Sequence, residues 1–249
     1  MKSGKHKVRD RLEAKSTREA IVRDLKKHAE HRYRKGAEVY FKEGIVLYGV
    51  RSNIVRKIAA DFFRKIKKEN KKTVFLLCEE LLNSKYSEVK TIAFAWAYGL
   101  HKQYIPEDFQ IFESWLKKYV SNWGSCDDFC RHAFGVFIYR YPKFLPSVFA
   151  WTNAKNRWLR RAASVITIYS LRKGAHLDFA FKIADALMLD EDYLVQNGCG
   201  WMLKDASIVF PSQVLSYVTR HKDEMSRRAL RYAIERFTSE QRREVMATG

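Results

Sequence analysis

The sequence predicts an all-α protein built as an α-solenoid of helix pairs, and three observations carry that prediction. Apolar residues recur at the three- and four-residue spacing of helices along nearly all of the 249-residue chain, with no alternating strand pattern of useful length. The four prolines, Pro106, Pro142, Pro146 and Pro211, all fall at breaks or first helical turns, where a missing N–H is tolerated. Small residues at Ala93, Ala133, Ala163, Cys199 and Ala229 mark helix centres at intervals of roughly 30 to 40 residues, the length of a helix pair in a repeat array. Such arrays expose an extended concave surface, so residues distant in sequence line one groove. An irregular helical bundle is the plainer alternative.

Taken in order, residues 1–15 are basic and polar and are expected to fray, and residues 16–249 are expected to form a single repeat domain. Thr17 to Ala29 has the spacing of a modest amphipathic helix, with Ile21, Val22 and Leu25 on one side. Val39 to Phe41 is a short apolar segment before Gly44. Gly49 suits a turn, and Ser52 or Asn53 is placed to cap a helix from Ile54 to Ile66. Ile54, Ile58, Phe62 and Ile66 form its apolar stripe, and Arg56, Lys57, Arg64, Lys65, Lys67 and Lys68 supply a basic face. Further helices are expected over Thr73 to Leu82, Ser87 to His101, Glu107 to Val120, Ser125 to Tyr141, Leu145 to Trp151 and Arg157 to Leu171. The last four run over Phe179 to Leu187, Tyr193 to Ala206, Val214 to Arg220 and Ser226 to Phe237.

Composition bounds the function. With 47% hydrophobic residues the chain is able to fill a large core, and no apolar run approaches the roughly 20 residues needed to cross a bilayer. Lys and Arg number 47 against 28 Asp and Glu, a formal charge of +19. A surplus this large calls for an anionic partner: nucleic acid first, an acidic membrane surface or protein after it. Cys78, Cys126, Cys130 and Cys199 lack the paired spacing of a zinc site and read as buried free thiols, so no metal and no cofactor is expected. The chain reads as a soluble, intracellular monomer, cytoplasmic and, in a prokaryote, nucleoid-associated.

The most informative stretch is Ser121 to Arg131. If it opens a helix, Trp123 and Asp127 stand four positions apart on one face, an indole beside a carboxylate in a strongly basic chain. Ser121 or Asn122 is a natural N-cap, which leaves a structural reading of the same residues open: Asp127 as a first-turn acid and Trp123 as a core anchor. Arginines recur in two later helices, as Arg157, Arg160 and Arg161 and as Arg227, Arg228 and Arg231, a placement suited to tracking a phosphate backbone. Between them, Asn197-Gly198-Cys199-Gly200-Trp201-Met202-Leu203-Lys204 puts two glycines inside a helix, each costing about 1 kcal/mol relative to Ala. Close helix packing and close approach of a bulky ligand both explain that cost.

The segments Tyr48-Gly49-Val50-Arg51, Tyr86-Ser87-Glu88-Val89-Lys90, Trp123-Gly124-Ser125-Cys126-Asp127, Arg160-Arg161-Ala162-Ala163, Gly200-Trp201-Met202-Leu203-Lys204 and Arg228-Ala229-Leu230-Arg231-Tyr232-Ala233-Ile234-Glu235 occur in an order and spacing that resembles the DNA alkylation repair enzymes of the AlkD type. That resemblance covers about Val39 to Arg243 and implies HEAT-like repeats and alkylpurine DNA glycosylase activity, on duplex DNA that contains cationic alkylated purines. It carries a catalytic aspartate to Asp127, groove tryptophans to Trp123 and Trp201, a backbone-binding arginine to Arg161 and an aromatic near the first repeats to Tyr40. Arg157, Lys204, Arg228 and Arg231 complete the expected DNA-binding set. The resemblance also implies that the lesion is held from its backbone side without base flipping. The chain departs from the family's pattern in two places: Asn53 stands where proline is frequent, and Lys204 where arginine is common, which turns a bidentate phosphate contact into a point charge. A non-catalytic binder of bent or branched DNA, or a protein-binding scaffold, would use the same basic surface.

Overall fold

The structure, a computed structural model, describes residues 2–247, with side chains from residue 15 onward. Every regular element among the described residues is helical, in two compact units, Met1–Ile105 and Pro106–Gly249.

The first unit holds α1 (Lys2–Lys27), α2 (His31–Tyr40), α3 (Ser52–Ile66), α4 (Lys71–Leu82) and α5 (Ser87–Gly99). The backbone of residues 2–15, expected to fray, forms part of α1; most side chains there lie outside the described residues. Both α1 and α5 pack against α3 and α4. The expected stripe on α3 is borne out at Ile58, which is buried with Val55 and Ala59. Trp96 on α5 ties down the same helix by donating its indole N–H to the Ala59 carbonyl at 2.8 Å.

Two segments that carried the family resemblance meet inside this unit. The buried Glu88 carboxylate at the start of α5 accepts from the backbone N–H groups of Tyr48 (3.2 Å), Gly49 (2.8 Å) and Val50 (3.2 Å), while Tyr48 stacks on Tyr86. Gly49 is held at φ +95, and a Cβ there would lie 2.6 Å from the Glu30 carbonyl, so only glycine fits. Two expectations need correction. Neither Ser52 nor Asn53 caps α3; the N-cap is Arg51, whose side chain instead binds Glu30. Val39 to Phe41 is not a separate apolar segment but the end of α2, a helix with no buried side chain, which leaves Val39 81% and Tyr40 70% exposed.

The second unit runs through α6 (Asp108–Tyr119), α7 (Trp123–Phe129), α8 (Gly135–Arg140), α9 (Leu145–Ala150), α10 (Arg157–Val165), α11 (Ile168–Arg172), α12 (Leu177–Leu187), α13 (Tyr193–Ala206), α14 (Pro211–His221), α15 (Arg227–Ala233) and α16 (Ser239–Met246). A π-helical turn, Cys130–Phe134, joins α7 to α8 without a break. The expected helix from Arg157 to Leu171 breaks after Val165, where Thr167 donates its hydroxyl to the Ser164 carbonyl at 2.7 Å and competes with the helical ladder. The C-terminal α16 has only Val245 buried and starts at a capping box between Thr238 and Gln241.

Within this unit α7 packs on α10, α10 on α13 and α13 on α15, a succession of helices one repeat apart. All five small residues expected at helix centres are at most 1% exposed. Side-chain hydrogen bonds follow the same spacing: Arg160 to Asp190, Arg172 to Asp205, Tyr217 to Asp185 and Lys204 to Glu235 span 30 to 33 residues. The aromatic core of the unit gathers Phe109, Phe112, Trp115, Phe129, Phe134 and Phe137. The four cysteines are buried and free.

Candidate functional site

The helix that carries Trp123 and Asp127 begins where Asn122 accepts from the Ser125 N–H at 2.9 Å, so one of the two expected caps is the one used. Asp127 is the fifth residue of α7, beyond the reach of a cap, and its carboxylate turns to the neighbouring repeat. Arg161 on α10 grips it with two parallel bonds, Nε to Oδ1 and Nη2 to Oδ2, both 2.8 Å. A third donor, Nη1, bonds the Leu194 carbonyl on α13. One guanidinium therefore locks three successive repeat helices together, with the carboxylate fixed in plane and orientation.

The pair is deeply set: the Arg161 side chain is 6% and the Asp127 side chain 14% exposed. Burial raises the Asp127 carboxyl above its ordinary value, against the pull of Arg161. Burial also opposes charge on Arg161, and the facing carboxylate more than offsets it. Asp127 keeps a small part of its side chain exposed while Arg161 sets the orientation of its carboxylate. Adjacent Asp128 points elsewhere: His132 Nδ1 lies 3.3 Å from its carboxylate and 2.9 Å from its carbonyl. The roughly 100° between consecutive helical residues turns the two carboxylates to different partners, although both side chains are 14% exposed.

The glycines of α13 also find their reason here. A Cβ on Gly198 would sit 2.9 Å from Ser164 Oγ and 3.3 Å from Arg161 Cγ, and one on Gly200 would sit 2.6 Å from the Ala229 carbonyl. Close packing of α13 on α10 and on α15 thus decides between the two explanations open from the sequence. Gly198 has the added effect of leaving room for the arginine that holds Asp127.

Trp123 and Trp201 are both half-buried. Trp201 reaches the helix of Trp123 through Arg131, whose Cζ lies 5.6 Å from the centre of the Trp201 ring. Arg131 follows Asp127 by four positions and was not singled out from the sequence, although its helical register with Trp123 and Asp127 was there to be read.

The expected DNA-binding cations divide into two groups. Arg161 was expected on the phosphate backbone; in the structure it is buried and bonds Asp127 and the Leu194 carbonyl. Arg157 pairs with Asp192 at 2.9 Å while 45% exposed, and Lys204 lies 2.8 Å from Glu235 and over the Tyr232 ring. Arg228 is exposed over the Tyr193 ring, and Arg231 lines an open cleft of about 680 Å³ with Arg227, Arg242 and Arg243. Tyr40 lies in the first unit and is exposed. Among the described residues no group of three or more His, Cys, Asp or Glu is placed to hold a metal ion, and no helix is long and apolar enough to cross a membrane.

A family model described as "DNA alkylation repair enzyme" matches residues 21–237. Among solved structures, the chain is similar to a predicted DNA alkylation repair enzyme from Enterococcus faecalis, at 19% identity and a TM-score of 0.74, over 85% of this chain and 98% of that one. AlkD2 from Streptococcus mutans is 20% identical with a TM-score of 0.58, over 90% of this chain and 99% of that one. The protein smu.31 from Streptococcus mutans UA159 is 21% identical with a TM-score of 0.54, over 75% and 98%. No curated protein matches the chain.

Proposed function

The chain belongs to the DNA alkylation repair enzyme family, and from that premise we propose that it is a DNA glycosylase that releases cationic alkylated purines, N7-alkylguanine and N3-alkyladenine, from duplex DNA. The observation that carries this reading is the Asp127 carboxylate, fixed by the two-pronged grip of Arg161 and set on one helix face with Trp123.

A purine alkylated at N7 or N3 is already positive and leaves as a neutral base, so the reaction needs no general acid. What requires stabilising is the oxocarbenium character that develops on the deoxyribose. A carboxylate whose oxygens are immobilised before the reaction does this without reorganising during it, and it also orients the attacking water. Trp123 and Trp201 pack on the sugar and backbone at the lesion, exclude bulk water and favour a cationic nucleotide through their π faces. Exposed Arg157, Arg228 and Arg231 supply phosphate contacts, with Lys204 as a weaker point charge. The exposed Tyr40 serves as a further aromatic contact to DNA.

One observation favours the alternative of a non-catalytic binder: the Asp127 charge is compensated in a largely buried ion pair, as a structural pair would be. Base release decides between the two. Methylated duplex DNA incubated with the protein is expected to release N7-methylguanine and N3-methyladenine, read by chromatography of the free bases. Tight duplex binding with no release above the buffer rate assigns the protein to binding alone.

A further inference from the structure

Arg131 has no role in the mechanism above, yet its surroundings equip it for one. It lies in the π-helical turn Cys130–Phe134, four positions beyond Asp127 on the same continuous helix, and it is half-buried against Trp201. Four helical residues advance about 6 Å, the scale of the step from a deoxyribose to its own phosphate. The Trp201 ring holds the guanidinium over one face, which limits its rotamers before any ligand arrives and leaves its N–H rim available to an anion. Its charge is also close enough to act on Asp127, so guanidinium and carboxylate belong to one electrostatic site.

Resting on the glycosylase reading, we propose that Arg131 is a positioning residue: held on Trp201, it binds the phosphate beside the lesion and so sets the deoxyribose against Asp127. The phosphate is identified by its chemistry, a tetrahedral oxyanion suited to a fork of N–H donors. Trp201 then has two functions, one ring face backing the arginine and the rest of its surface meeting the nucleotide.

The test couples a protein change to a DNA change. Duplexes carrying a single N7-methylguanine are made with one flanking phosphate at a time replaced by a neutral methylphosphonate. In the wild-type protein one of these replacements is expected to lower single-turnover release about tenfold. Arg131→Met is expected to give a similar loss on the native duplex, to show no additional loss at that one methylphosphonate, and to flatten the slope of log affinity against log salt by about 0.9. Arg131→Lys keeps the slope and retains part of the coupling, and it serves as the readout if Arg131→Met fails to fold. Losses that multiply at every position, or an unchanged slope, restrict Arg131 to packing on Trp201 and overturn the proposal. The same coupling measured as affinity for a duplex with a tetrahydrofuran abasic site tests Arg131 even where wild-type protein releases no base, so failure of the glycosylase reading and failure of this one are distinguishable.

Discussion

Replacing Asp127 with Asn removes one charge and leaves the shape of the site, and the Arg161 pairing sets how much activity should go. A carboxylate about 4 Å from the developing sugar cation is worth roughly 4 kcal/mol at an effective dielectric near 20. Arg161 stands behind it, about 8 Å from the sugar, and at the same dielectric repels the cation by roughly 2 kcal/mol. The wild-type pair therefore contributes a net attraction of about 2 kcal/mol. Asp127→Asn alone loses the full carboxylate contribution, on the order of a thousandfold in single-turnover release of N7-methylguanine. It also leaves Arg161 buried without its counter-charge, which costs about 3–5 kcal/mol of stability. The double variant Asp127→Asn/Arg161→Met removes both charges. It should recover most of the lost stability in thermal unfolding, because a neutral pair of similar volume tolerates burial. Its release rate should settle about thirtyfold below wild type, which is faster than the single variant despite one more substitution. A double variant that regains stability and full activity together would refute the reasoning, since the carboxylate would then have served only to neutralise Arg161.

Gly200→Ala forces a backbone carbonyl to move and should cost about 2–3 kcal/mol in denaturant unfolding, whereas Gly198→Ala meets side-chain atoms, should cost about 1–2 kcal/mol, and should reduce base release more per unit of lost stability by displacing Arg161. Arg228→Ala should weaken binding to all duplexes alike and reduce the slope of log affinity against log salt by about 0.9, while Lys204→Ala should change it by less because Glu235 already partners that cation. His176 adopts a left-handed conformation at φ 65, so His176→Gly should stabilise the fold by about 0.5–1 kcal/mol in urea unfolding. Burial lowers its pKa from 6.5, so the folded state binds its proton less readily than the unfolded one. Stability attributable to this histidine is present above pH 6.5 and is lost as pH falls towards the folded-state value, and His176→Gly should abolish that part of the acid dependence.

Much of this was legible in the residues, and the exceptions have physical causes. Helices with a broad apolar stripe were readable to within a few residues at each end; Tyr193–Ala206 coincides with its expected range. Two helices were missed for the same reason: α2 buries no side chain and α16 buries one, so neither has a periodic apolar signal, although Thr238 and Gln241 offered a capping signature. The face shared by Trp123 and Asp127 follows from helical spacing alone. The partner of Asp127 does not, because Arg161 is 34 residues away and its charge invited a phosphate reading; only the folded packing shows that three of its bonds go to Asp127 and Leu194. Arg131 was hidden for the opposite reason. A single arginine beside a histidine in a basic chain has nothing to distinguish it until the ring it leans on is known.

The ladder of bonds spanning 30 to 34 residues in the second unit bears on how that unit assembles. Closing a segment of that length costs roughly (3/2)RT ln n, about 3 kcal/mol, and each closure is rewarded within the next helix pair, so no contact has to wait for a distant part of the chain. Growth by nearest neighbours also means that loosening begins at an end and moves inward. Asp127, Arg161 and Gly198 sit on α7, α10 and α13, with α15 and α16 following them in the chain. Amide protons of α16, which buries only Val245, should therefore exchange with solvent sooner than those of the largely buried α10 and α13, which hold Arg161 and Gly198.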